Sequence, residues 1–192
     1  MRSIVALIIV MICISGCGPS EQEKFEATEK LLSANYYSPN ADYIRVLISE
    51  GADVNARSTA GSTPLMFAAW KSSTPEIVQL FLEKGAELEA RNTAGWTPLM
   101  YAARKFPEPE IVQLLLEKGA EVNARSTACW SPLMLAAENS STPEIVQLLL
   151  EKGAEVNVRD TDGKTPLMFA ARNTNGKSAE IKQLLINAGA KE

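Results

Sequence analysis

The chain has 192 residues, 46% hydrophobic and 22% charged, with 11 Gly and 10 Pro, the composition of an ordinary globular domain and not of a disordered or collagen-like chain. It contains no His, which removes the commonest general base, metal ligand and pH switch together. With 19 Lys and Arg against 23 Asp and Glu, the net charge is −4, which argues against a nucleic-acid binder that works by charge.

The first element is an export signal over residues 1–16. Arg2 supplies a positive start, Ile4 to Ile14 form an apolar run, and the small residues Ser15 and Gly16 follow. An apolar helix of that length rises about 16 Å, roughly half the hydrocarbon thickness of a bilayer, so a permanent span is not expected. The stretch Ile14-Ser15-Gly16-Cys17 resembles the bacterial lipobox, with Ile14 where Leu is usual. That resemblance implies cleavage before Cys17 and attachment of acyl chains, palmitate among them, to Cys17; several chains together make a stable anchor. Gly18, where Asp would direct retention in the inner membrane, leans the expectation to the outer membrane, facing the periplasm. Cys13 leaves with the signal and Cys17 is acylated, so Cys129 is the last thiol and no internal disulfide is available. Residues 17–24 read as the lipidated end and a short tether.

From residue 25 to 192 the chain is a repeat. Thr63-Pro64-Leu65-Met66, Thr97-Pro98-Leu99-Met100, Ser131-Pro132-Leu133-Met134 and Thr165-Pro166-Leu167-Met168 recur every 34 residues, and Gly-Ala follows at Gly51, Gly85, Gly119, Gly153 and Gly189. This divides the region into a leading unit at 25–58 and repeats at 59–92, 93–126, 127–160 and 161–192. Within a unit, Leu65, Ala68 and Ala69 mark one face of a short helix opened by Pro64. Thr74-Pro75-Glu76 starts a second helix, with Thr74 as N-cap, whose apolar stripe is Ile77, Val78, Leu80 and Phe81. Gly85 ends it in the left-handed conformation. Helix pairs of this size bury their apolar faces only by stacking, and the two end units read as caps; the first offers Glu26, Glu29 and Lys30 to solvent.

The order Thr-Pro-Leu, Ala-Ala, Ile-Val-x-Leu-Leu-Leu and Gly-Ala-x-Val-Asn resembles the ankyrin repeat. The resemblance implies an all-α solenoid of about five helix-turn-helix units with short hairpin-like turns. Met66, Met100, Met134 and Met168 stand where His is usual, the unit has one residue more than usual, and Cys129 replaces a turn Gly found as Gly61, Gly95 and Gly163. The Met side chains are expected to pack between units, since no second ligand type accompanies them.

Positions identical in every unit read as scaffold, among them Arg57, Arg91, Arg125 and Arg159. Positions that differ are free for a partner. Before each motif stand Ser62, Trp96, Trp130 and Lys164, and after Ala-Ala stand Trp70-Lys71, Arg104-Lys105, Glu138-Asn139 and Arg172-Asn173. The resemblance puts these at the fingertips and inner helices of a concave face. The candidate protein-binding residues are therefore Trp70, Lys71, Trp96, Arg104, Lys105, Trp130, Glu138, Lys164 and Arg172, because Trp and Arg concentrate binding energy. Trp96 and Trp130 have a structural alternative, stacking on each other or covering an Ala-rich turn.

The expected function is a membrane-anchored interaction module of the bacterial envelope, monomeric, holding a protein partner on its concave face. Two narrower alternatives are an immunity or inhibitor protein that neutralises a toxin or enzyme there, and an envelope structural protein that touches anionic glycan or lipid. No enzyme is expected, for there is no Gly-x-Ser-x-Gly elbow and no phosphate-cradling Gly loop; no cofactor, metal or nucleic acid is implied.

Overall fold

The computed structural model describes residues 18–37, 40–71, 75–104 and 109–191. The signal segment with Cys17, the N-cap position Thr74 and the candidate Lys105 lie outside the described residues. Ten helices and no strand occur among the described residues: α1 (Glu21–Tyr37), α2 (Ala41–Ser49), α3 (Pro64–Lys71), α4 (Pro75–Glu83), α5 (Pro98–Arg104), α6 (Pro109–Glu117), α7 (Pro132–Asn139), α8 (Pro143–Glu151), α9 (Pro166–Ala171) and α10 (Ser178–Asn187). No described helix is long and apolar enough to cross a membrane.

Each repeat folds for reasons visible in its own residues. Pro opens α3, α5, α7 and α9, where its missing N–H costs nothing. The preceding hydroxyl caps the helix: Thr63, Thr97 and Ser131 accept from the backbone N–H of Met66, Met100 and Met134 at 3.4, 3.4 and 3.3 Å. Leu65, Met66, Ala68 and Ala69 are buried on α3, and Ile77, Val78, Leu80 and Phe81 on α4. Gly85 then turns the chain at φ +84°, a conformation open to Gly without steric cost.

The odd-numbered helices stack on one another as an inner layer and the even-numbered ones as an outer layer. One apolar core runs unbroken from Ala27 to Leu185. Met66, Met100 and Met134 are fully buried, the latter two within that core, as packing between units requires.

The turns between units are joined by a ladder. Each finger is closed by a backbone bond of the kind Asn92 N–H to Trp96 C=O, and Thr93, Thr127 and Thr161 donate to Ala60, Ala94 and Ala128 of the finger before, at 3.1, 3.1 and 3.2 Å. Arg57 donates to the carbonyl of Arg91 at 2.8 Å, Arg91 to that of Arg125 at 2.7 Å, and Arg125 to that of Arg159. The Arg at this position therefore serves as scaffold.

Helix α1 starts at Glu21, inside the stretch 17–24 read as a tether, because Ser20 and Glu23 form a reciprocal cap: Ser20 N–H donates to Glu23 at 2.7 Å and Glu23 N–H to Ser20 Oγ at 3.3 Å. That backbone hydrogen bond, with the Ser20 side chain, holds the Glu23 carboxyl below its ordinary pKa. The two end units also differ from each other. Glu26, Glu29 and Lys30 are exposed on α1 as expected, whereas Met168 of the last unit is 43% exposed, for it keeps the stacking residue of the other repeats without a described unit against it.

Candidate functional site

The inner helices bury Leu, Met and Ala toward the outer layer and leave one stripe uncovered. At its first half sit three aromatic rings. Tyr101 of α5 lies between Trp70 at the end of α3 and Trp96 of the finger before it, with ring centroids 6.3 and 5.3 Å away. The Tyr101 hydroxyl is held by Ser62 Oγ at 3.1 Å and by the Asn92 amide at 3.0 Å. Asn92 also accepts from the backbone N–H of Trp96 at 2.9 Å, so the finger and the helix set one another's position. Two cations lie over these rings, Lys71 Nζ at 4.2 Å from Trp70 and Arg104 Cζ at 5.2 Å from Trp96, within the reach of cation–π attraction.

A second, smaller cluster occupies the last repeats. Trp130 packs edge-on against Phe169 of α9 at 4.8 Å, and Arg172 lies 5.7 Å over the Phe169 ring. Here the cation is satisfied within the chain, since Arg172 Nη2 reaches Glu138 of α7 at 3.2 Å. The Glu138 side chain is only 18% exposed, so its carboxylate is more shielded than those of the outer ion pairs, although Arg172 itself is exposed.

Of the candidates read from the sequence, the fold brings together Trp70, Lys71, Trp96 and Arg104 in the first cluster and Trp130, Glu138 and Arg172 in the second. Lys164 joins neither. It binds Asp162 of its own fingertip at 2.9 Å, and that hydrogen bond, with the charge behind it, holds the Asp162 carboxyl below its ordinary pKa. Counted by position alone the stripe carries Lys71, Arg104, Lys105, Lys164 and Arg172 against Glu138; the Arg172–Glu138 and Lys164–Asp162 pairs cancel two of the positive charges and leave the excess at α3 and α5.

Trp96 and Trp130 do not stack on each other. Each is half-buried, packs against the core and meets an inner-helix aromatic instead. Those partners, Tyr101 and Phe169, were not among the sequence candidates. Their signal was available: the residue after Met in each motif is Phe67, Tyr101, Leu135 or Phe169, three positions before Trp70, Arg104, Glu138 and Arg172 and therefore on the same helix face. Leu135 is fully buried, and it separates the two clusters.

The family model described as ankyrin repeats (3 copies) matches residues 31–126 and 125–192. The chain belongs to the ankyrin-repeat family. Comparison with curated proteins gives no match. Ankyrin repeats are protein–protein interaction modules, and their members are typically binding proteins without catalysis. As an ankyrin-repeat protein, this chain offers chemistry of recognition at its inner face: flat apolar rings, a tyrosine hydroxyl and guanidinium edges.

Proposed function

We propose that this ankyrin-repeat chain is a lipid-anchored binding module of the bacterial cell envelope, which holds a protein partner against the inner-helix face and catalyses nothing. The observation that carries the reading is the Trp70–Tyr101–Trp96 cluster with Lys71 and Arg104 over its rings. Half-exposed Trp, Tyr and Arg packed together are the residues in which binding energy concentrates, and fixed rings lose little entropy on contact.

The anchor rests on the apolar run Ile4 to Ile14 and the Ile14-Ser15-Gly16-Cys17 box, and Gly18 after it favours the outer membrane. From Cys17 to the start of α1 at Glu21 the chain reaches about 14 Å when extended. A partner on the repeats is therefore held close to the bilayer.

The test is capture from envelope extract on the full chain, solubilised in detergent and fixed to beads. A protein retained by the wild type and by Gln79→Ala and Gln113→Ala, but lost with Trp96→Ala and Trp130→Ala, supports the inner face. Equal loss in the Gln set, whose side chains lie on the outer helices, moves the site to the other side of the solenoid.

A further inference from the structure

Arg104 differs from every other described arginine. Arg45 binds Glu76 at 2.8 Å, Arg57 binds Glu87 at 3.1 Å, Arg91 binds Glu121 at 3.4 Å and Arg172 binds Glu138 at 3.2 Å. Arg125 and Arg159 donate to the carbonyls of Arg159 and Gly163. Among the described residues Arg104 has the Trp96 ring beneath it and neither a carboxylate nor a carbonyl on its guanidinium edge.

The repeat itself supplies the comparison. Trp70, Arg104, Glu138 and Arg172 occupy one position in successive units, 34 residues apart. Both Arg172 and Arg104 lie over an aromatic ring. Arg172 completes its set with the acid of the unit before, Glu138; at the corresponding place before Arg104 stands Trp70. Glu138 follows Arg104 in the stripe as well as preceding Arg172, and it is bound to Arg172. The segments 58–71 and 92–104 contain no Asp or Glu, so an incoming carboxylate meets no like charge there. A guanidinium lying on an indole keeps its planar N–H fork directed sideways, the geometry that accepts a carboxylate bidentately.

Resting on the binding reading above, we infer that Arg104 is an open carboxylate-binding position, and that the partner presents there an Asp or Glu beside an apolar side chain that rests on Trp96 and Tyr101. The Arg172–Glu138 pair is the internal copy of that contact. The partner is thus a protein segment with an acidic residue next to Leu, Phe or Trp, and it docks on the N-terminal half of the inner face.

The probe is a phage-displayed library of random peptides, selected on the full chain in detergent, with enriched sequences resynthesised for affinity measurement. The inference expects enrichment of Asp or Glu beside an apolar residue. It also expects a loss of about ten-fold to a hundred-fold on Arg104→Gln, the span of a charge-assisted hydrogen bond, the same loss when the peptide acid becomes its amide, and no further loss when both changes are combined. Glu138→Gln should not weaken binding. Peptides weakened by Trp96→Ala, in protein whose thermal midpoint shows it folded, but without acidic bias or indifferent to Arg104→Gln, overturn the inference and leave the inner-face reading standing. Peptides indifferent to both variants, or no enrichment at all, overturn both. Binding to phosphatidylglycerol vesicles that Arg104→Gln abolishes, without peptide enrichment, assigns the position to an anionic lipid surface and overturns it too.

Discussion

Cys129 sits at φ +59°, in the turn where Gly61, Gly95 and Gly163 take +71°, +73° and +78°. A side chain there is strained, and at the equivalent turn of the preceding unit space is short as well: a Cβ built on Gly95 would lie 2.8 Å from the backbone nitrogen of Thr127 in the next finger. Cys129→Gly is therefore expected to stabilise the protein by roughly 1 kcal/mol, read as a rise of a few degrees in the thermal midpoint of the reduced protein; a fall would mean that the thiol packs to advantage. Glu89 is a second departure with a predictable sign. Asn55, Asn123 and Asn157 each bridge two units, accepting from one backbone N–H and donating to the carbonyl of Gly85, Gly153 or Gly189 at 3.0, 3.1 and 3.0 Å. Glu89, at the same place, accepts from Glu121 N–H at 3.0 Å and has no hydrogen to offer Gly119. Glu89→Asn adds that donor, and an increase of about 0.5–1.5 kcal/mol in denaturant unfolding is expected; an unchanged or lowered midpoint would show that water already serves the Gly119 carbonyl as well.

At the scale of helices and fingers, the aromatic clusters join neighbouring units as well as forming a surface. Trp130 reaches from the finger before α7 to Phe169 on α9, and Tyr101 takes bonds from Ser62 and Asn92 in two fingers. Removing either indole loses half-buried area and one aromatic pair, so Trp96→Ala and Trp130→Ala are each expected to cost roughly 1–3 kcal/mol of stability. Arg104→Ala removes an exposed cation and should shift the thermal midpoint only slightly. Gln79 and Gln113 make exposed bonds to Glu83 and Glu117 at 2.8 Å one turn on, which are worth a few tenths of a kcal/mol. Circular dichroism melts of the four variants would order them Trp130 and Trp96 well below Arg104 and Gln113; a Trp variant that melts like the wild type would mean its ring serves the surface alone.

The whole molecule is a stack in which every unit touches only its neighbours, so the same substitution has different effects at different places. Met100 is fully buried between units and Met168 is 43% exposed. Met100→Ala is expected to cost about 2–5 kcal/mol through the cavity it opens, and Met168→Ala well under half of that. Equal losses in denaturant unfolding would mean that the last unit is covered in solution. The proposed anchor belongs to this scale as well. Cys17→Ser should leave the chain unprocessed at residue 16 and without acyl label, detected by its slower migration and by lack of incorporated palmitate. A variant that is cleaved and labelled like the wild type would sink the lipoprotein reading.

The repeat unit, its all-helical character and its buried face were legible in the residues, because Leu65, Ala68 and Ala69, or Ile77, Leu80 and Phe81, fall on one side of a helix by spacing alone and recur every 34 residues. The ankyrin family and the strained turn at Cys129 were legible for the same reason: a periodic chain carries its own internal control. The start of α1 was less so, since a cap built from Ser20 and Glu23 leaves no mark in the repeat period. What the tertiary structure alone decided is the pairing across units. Arg104 and Arg172 are equivalent by register, and Glu138 stands between them in the stripe; only the packed side chains assign it to Arg172 at 3.2 Å. Period places a residue on a face, whereas an ion pair or a ring contact depends on which of two neighbours lies within a few ångströms, and that is settled only once the units are packed against one another.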